Sequence, residues 1–421
     1  MKVNLGAGAP EPAIDLTNCE EVYCDVLVVG CGVAGLYTAL NLPSDLTVEI
    51  ICKDDVASCD SMLAQGGICV LRDDNDYDPW FDDTMRAGHY ENRVESVDIM
   101  IRESRALIDD LMVLGVEFDR TPDGELDYTR EGAHSRPRIL HRADLTGAEI
   151  TTKLLAAVRE RPNVSINEYT TMRDLIVDEK GSCAGVLAVV GSGEPVLIHS
   201  RDVVLATGGI GGLYPRTTNF RSLTGDGCRI CERAGVRLEN MDYVQIHPTS
   251  LYTPGVGRAF LISESCRGEG AILLNADGER FTDELQPRDV VSEAIWRQME
   301  IDHLPYVRLS FEYVDKDVIV NHFANIYKHC LEEGFDITRE PIPVAPAQHY
   351  LMGGIWIDRN ARTTMEHLYA AGETACNGVH GRNRLASNSL LESMVFARHA
   401  ALSIDATTLE IRKNKRRSVH V

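Results

Sequence analysis

Residues 25–40, DVLVVGCGVAGLYTAL, decide the fold. The apolar run 25–30 reads as a buried parallel strand, and the apolar spacing from Val33 onward reads as a helix. Between them Gly30, Gly32 and Gly35 form G-x-G-x-x-G. The first glycine makes the tight turn, the second lets a pyrophosphate reach the backbone, and the third lets helix and strand pack closely. N–H groups at the start of the helix then face the phosphates. A second apolar run, LTVEIIC at 46–52, completes a β-α-β unit. The acid that closes a standard NAD site is missing from its end, where Cys52-Lys53 stands instead. That points away from NAD.

Other loops have the same character. AQGGI at 64–68 and VVLATGGIGG at 203–212 are rich in bare backbone, and Glu373 in AAGET follows a strand, where a carboxylate can accept from ribitol or ribose hydroxyls. Elements spread this widely suit a long dinucleotide such as FAD. Helical spacing covers 91–114, 146–159 and the closing stretch SLLESMVFARHAALSI, with Thr146 and Glu149 as a capping box. Strands are expected at 164–177, 184–190, 195–199 and 202–206. From about 241 to 342 prolines and loops such as HPTSLYTPGVG mark an inserted second unit, and PIPVAPAQHY at 341–350 reads as the return linker.

The chain has 421 residues, 44% hydrophobic and 25% charged, as in a globular protein of two or three domains. A formal charge of −22 argues against nucleic acid or an anionic membrane as the main partner. The start, MKVNLGAGAPEPAIDL, is not patterned as a secretory signal, and no apolar run is long enough to span a bilayer, so a cytoplasmic location is expected. Twelve scattered cysteines read as reduced thiols, and the lone C-x-x-C pair, Cys228 and Cys231, as helix neighbours rather than half a zinc site.

One segment stands out against the acidic whole. TREGAHSRPRILHR, 129–142, gathers Arg130, His134, Arg136, Arg138, His141 and Arg142 around Glu131. By spacing alone Glu131 is a neutralising partner for its neighbours; the other reading is that it meets a cation on a ligand.

The stretches GCGVAGLYTAL, MLAQGGI, VVLATGGIGG, MDYVQIHPTSLY, SESCRGEGAILLNADGERF, QPRDVVSEAI, AQHYLMGGI and YAAGE…NRLASNSLLESMVFA resemble, in the same order, a flavoprotein family. It contains the fumarate reductases, the succinate dehydrogenase flavoprotein subunits and the L-aspartate oxidases, and the matches cover most of 24–402. TREGAHSRPRILH resembles the aspartate oxidase branch. The resemblance implies an α/β fold, with a Rossmann-like FAD-binding domain at 1–240 and 350–421, in which 1–23 and 406–421 are tails. An α+β capping domain at 241–349 interrupts it, and the C-terminal helical domain common in that branch is expected to be absent. It also implies FAD-dependent oxidation of L-aspartate to iminoaspartate, with O2 or fumarate as electron acceptor. That reaction opens NAD biosynthesis and would have a quinolinate-forming enzyme as partner. The alternatives are a soluble fumarate reductase or succinate-oxidising flavoprotein, and a flavin-binding scaffold without catalysis.

The same resemblance distributes the site residues. Arg288 would carry the proton, as donor and electrostatic stabiliser in fumarate reduction; because arginine's pKa lies above ~12, a purely electrostatic role is the rival reading for aspartate oxidation. Glu131 would meet the substrate's α-ammonium, kept ionised by the arginines around it in sequence. Gln245, His247, Ser263, His349, Arg384 and Ser387 would hold the carboxylates of aspartate or another dicarboxylate. FAD would lie on Gly30, Gly32, Val33, Ala34 and Gly35, then on Lys53, Asp60, Ser61, Ala64, Gln65, Gly66 and Gly67. Met172, Ala206, Thr207, Gly208, Asp226, Glu373, Ser389 and Leu390 would complete its site. Asp60 occupies the position where covalently flavinylated relatives carry histidine, so FAD is expected to be non-covalent.

Overall fold

The computed structural model describes Ile14, Leu16 and residues 19–418 apart from Val256, with side chains described up to Glu410. Its main sheet has seven strands. Parallel strands Val164–Asn167, Val48–Ile51, Glu20–Val29 and Glu194–Leu205 lie side by side in that order. The last then pairs antiparallel with Cys183–Val190, which pairs with Thr170–Val177. Its far end takes Leu368–Ala370 as a parallel neighbour. Strands of this kind need apolar side chains on both faces, and Val26, Leu27, Val203, Val204 and Ile50 are fully buried. Helix Val33–Asn41 and the closing helix Ser389–Ser418 pack against each other beside the sheet.

At the first turn the reading of the glycines becomes measurable. Gly30 adopts φ +115°, and a Cβ there would lie 2.1 Å from the Ala206 carbonyl oxygen. A Cβ on Gly35 would lie 1.9 Å from the Gly30 carbonyl oxygen. The turn and the helix are thus locked together by backbone contact.

A second sheet of six strands is largely antiparallel and includes Val244–Leu251, Ile342–Leu351, Val307–Ser310 and Ile272–Leu274. Helix Arg288–Asp302 covers it, and a separate core forms around Leu251, Ile295, Leu309, Phe323 and Val344. The two layers meet where the Asp144 carboxylate accepts from the N–H groups of Asn325 and Ile326 (3.2 and 2.7 Å), at the start of helix Ala324–Glu332.

Several expectations need correction. The strand opening the main sheet begins at Glu20, inside the supposed tail 1–23; residues 1–13, 15, 17 and 18 lie outside the described residues. The closing helix runs on to Ser418, so 406–418 is not a tail: Thr408 is buried and its hydroxyl accepts from Arg201 (2.7 Å). Residues 419–421 lie outside the described residues. PIPVAPAQHY is no linker but an inner strand of the second sheet. Its prolines are tolerated because Pro343 needs only its carbonyl, which accepts from Tyr252 N–H (2.9 Å), and Pro346 sits where the pairing with Val244–Leu251 is irregular. The runs 195–199 and 202–206 form one strand. Thr146 is the first helical residue, not the cap; its hydroxyl accepts from Arg142 N–H, and Glu149 accepts from Glu117 N–H.

Gly35→Ala is expected to force the first turn apart, costing about 1–3 kcal/mol. Thermal unfolding should show a lower midpoint, and flavin absorbance near ~450 nm per chain should fall with it. Unchanged flavin content would contradict the locked turn.

Candidate functional site

Both layers open onto one cavity of about 560 Å³. Its one end is backbone. Gly30, Gly32, Val33 and Ala34 line it, joined by Ala206, Thr207 and Gly208 from the neighbouring strand end. Ser61, on the short turn Asp60–Leu63, accepts from Val33 N–H (3.1 Å) and so braces the glycine loop. Ala64, Gln65, Gly66, Gly67, Met172, Ser389 and Leu390 continue the wall. Gly35 lies behind it, under the turn.

Two buried polar atoms in this wall, Asp60 Oδ2 and Gln65 Oε1, have no hydrogen-bond partner among the described residues, while the other Asp60 oxygen accepts from Phe220 N–H (2.9 Å). Burial, only partly offset by that hydrogen bond, pushes the Asp60 carboxyl up to about 7. Glu373 Oε1 accepts from Leu351 N–H (2.9 Å), and burial followed by the Asp60 charge raises it to about 8. Lys53, which also lines the cavity, bonds Asp226 (2.8 Å), Thr224 and the Ser222 carbonyl. An elongated cavity with bare backbone, a helix start and unspent hydrogen-bonding atoms fits a dinucleotide.

The other end is charged. Gln245 is the hinge of it: its amide oxygen accepts from Arg288 Nη1 (2.9 Å) and Arg384 Nε (3.2 Å), while its nitrogen donates to Asn383 Oδ1 and the Arg384 carbonyl. Gln245 therefore supports the wall from behind. Arg288 Nε also bonds Glu264 Oε2 at 2.5 Å. Arg384 lies over the Tyr350 ring (4.6 Å) and donates to the Ser389 hydroxyl, with no carboxylate in ion-pair contact among the described residues. Burial and then the Arg288 charge lower it to about 10.

His247 and His349 stand edge to face, 5.1 Å between ring centres. Nδ1 of His349 meets the Thr218 hydroxyl (2.7 Å); Nδ1 of His247 rests on the Thr249 backbone, leaving its Nε2 without a partner among the described residues. Burial, then the Arg288 charge, depresses both rings, so both are neutral near pH 7. Ser263 caps the short helix Glu264–Gly268, its hydroxyl accepting from Ser265 N–H (3.2 Å).

Glu131 completes this end. It is 3% exposed, and its oxygens accept from Ser265 (2.9 Å) and Ser387 (2.6 Å). Ser387 holds a left-handed φ of +61° to make that contact, a strained conformation of the kind found at functional sites. Burial, then the Glu264 charge, raises the Glu131 carboxyl.

Arg136, Arg138 and Arg142, close to Glu131 in sequence, are engaged elsewhere in space, which corrects the expectation that they keep it ionised. Arg138 is fully buried against Asp76 and Asp83, Arg142 pairs with Glu117 and Asp119, and Arg136 bonds the Asn75 carbonyl. The guanidinium that opposes the rise comes from Arg288, far along the chain. Asp289, the next residue after Arg288, meets His89 (2.8 Å), and the carboxylate that holds Arg288 is Glu264. Sequence reading missed Glu264 and Ser265. Their segment, SESCRGEG, carries no spacing that announces a site.

Residues 25–390 match the family model of the FAD-binding domain. The chain is 48% identical to an L-aspartate oxidase of Clostridium perfringens, over 91% of this chain and 87% of that one. It is 46% identical to that of Clostridium acetobutylicum, over 94% and 91%. Among solved structures, a quinol-fumarate reductase with menaquinol molecules superposes with a TM-score of 0.85 at 32% identity, covering 91% of this chain and 71% of that one. Fold, cofactor cavity and sequence agree: the chain belongs to the L-aspartate oxidases, within the family of FAD-binding flavoproteins.

Proposed function

We propose that this chain oxidises L-aspartate to iminoaspartate, with FAD held non-covalently. The observation that carries the reading is Glu131, a buried carboxylate with hydroxyl donors but no cation in contact among the described residues. Succinate and fumarate offer only negative charge. A lone buried carboxylate is costly unless a cation arrives, and an α-ammonium is such a cation.

The charged end supplies the rest. Arg288 and Arg384 take the substrate's carboxylates, for which a planar guanidinium is the best-shaped partner. Neutral His247 and His349 and the Ser263 hydroxyl add hydrogen bonds without adding repulsion between cations. Glu131 accepts one proton from the ammonium, and its raised pKa suits that work. Cα loses its hydrogen with the bonding electron pair, and the C=N bond of iminoaspartate forms. FAD, when bound, supplies the acceptor for that pair. Lys53, Asp226, Asp60 and Glu373 hold its polar parts, and the glycine loop its phosphates. Arg288, held by Glu264 and Gln245, stabilises charge rather than surrendering its own proton.

Fumarate presents its two carboxylates to the same guanidinium pair and serves beside O2 as electron acceptor, its reduction taking a hydride equivalent from the flavin, when bound, and a proton from water. Iminoaspartate is reactive, which makes a quinolinate-forming enzyme the expected consumer in NAD biosynthesis. The unit at 241–349 acts as the cap that brings Arg288, His247 and Ser263 to the flavin.

Glu131→Gln keeps the volume and removes the charge. Steady-state kcat/KM for L-aspartate should fall about a hundredfold, the scale of losing one partner of a buried charge pair, with fumarate reduction driven by a reduced viologen kept. Equal loss of both would contradict the role.

Glu264→Ala leaves Arg288 and Arg267 buried without their carboxylate and should cost about 3–5 kcal/mol in urea unfolding. Although burial raises the Glu264 carboxyl, the two arginines outweigh it and hold it below the ordinary 4.5. The stability it contributes is therefore present above about that pH and lost as pH falls through the folded-state pKa. The variant should lose that acid-side slope.

A further inference from the structure

Glu131 is gripped by more than its two serine contacts. A Cβ on Gly66 would lie 2.2 Å from Glu131 Oε1, so the carboxylate rests against bare backbone on one side. On the other, the Ser263 hydroxyl donates to the Ser265 hydroxyl (3.2 Å), which donates to Glu131 Oε1 (2.9 Å). The chain of hydroxyls Ser263–Ser265–Glu131 thus joins a carboxylate-binding position to the ammonium-binding one. Ser265 is its middle link. It is 2% exposed and sits in the first turn of the short helix that Ser263 caps.

Resting on the proposed activity, we propose that Ser265 is a specificity-determining positioning residue: it fixes the Glu131 carboxylate in the orientation that accepts the α-ammonium of an amino-dicarboxylate. Dicarboxylates without nitrogen do not use Glu131, so the residue acts on one class of substrate alone. The physics is one of donors. A hydroxyl donating to a buried carboxylate favours its charged form; the Ser265 and Ser387 hydroxyls both oppose the upward push of burial on Glu131. Removing one donor lets that push win further. Glu131 must then be ionised at a higher pH than before to meet an ammonium.

The test is the pH profile of Ser265→Ala as flavin-loaded full chain. Steady-state kcat/KM for L-aspartate oxidation, and separately for fumarate reduction with a reduced viologen as the electron donor, is measured across pH, with flavin content checked by absorbance. The acidic limb of the aspartate profile should move up by about one pH unit, the scale of one hydrogen bond to a charged group. The fumarate profile should keep its limb. Ser265→Thr restores the hydroxyl and should restore the limb; if the extra methyl prevents folding, Ser265→Cys, a weaker donor of similar size, should give an intermediate shift. An unmoved aspartate limb in Ser265→Ala, or equal movement of both profiles, overturns the assignment. A wild-type protein whose flavin L-aspartate fails to reduce would instead overturn the activity on which it rests.

Discussion

Two guanidinium groups, those of Arg288 and Arg384, are held out of water on the oxygen of a single amide, Gln245. Like charges in a low-dielectric interior repel strongly, and only Arg288 has its own carboxylate, Glu264. Arg384 has an aromatic face and a hydroxyl. Glu131 lines the same cavity, a buried carboxylate with no cation in contact among the described residues. An unpaired positive charge and an unpaired negative charge thus face the same space, each too costly to leave alone. A ligand carrying both signs satisfies them together. The fold brings both charges to that one space.

The fold does this by drawing each charge from a different part of the chain. Arg288 opens a helix lying on the second sheet, Arg384 sits in the loop before the closing helix, and Glu131 lies in the loop after helix Val94–Val113. Segment Glu264–Gly268 presses on the Glu131 loop closely enough that a Cβ on Gly132 would meet Glu264 Oε1 at 2.3 Å. Glycine at that contact lets a carboxylate from the second layer reach the guanidinium of Arg288 beside the first. The cofactor end is built on another principle, bare backbone and a helix start, which suits a long phosphate-bearing molecule.

That difference explains what the sequence could say. A glycine turn is a local device, so DVLVVGCGVAGLYTAL, AQGGI and VVLATGGIGG were legible from spacing and strand context. Charge pairing is not local. Arg130 to Arg142 surround Glu131 in sequence, yet the chain turns Arg138 inward to Asp76 and Asp83 and leaves Glu131 facing away. The roles of His247, His349 and Arg384 came from family resemblance rather than from pattern. Glu264 and Ser265 were invisible because their partners, Arg288 and Glu131, lie 24 and 134 positions away. PIPVAPAQHY shows the opposite failure: its prolines are a true local signal for a break, overridden because each falls where the sheet asks for no N–H donor.

The account stands or falls on whether the site takes a ligand of both charges. The most direct measurement is anaerobic titration of the flavin absorbance of the purified, FAD-loaded protein, with L-aspartate and succinate added separately. Rapid bleaching by L-aspartate but not by succinate is the predicted result. Bleaching by succinate alone would contradict the central claim, because the site would then oxidise a substrate with no ammonium for Glu131 to meet.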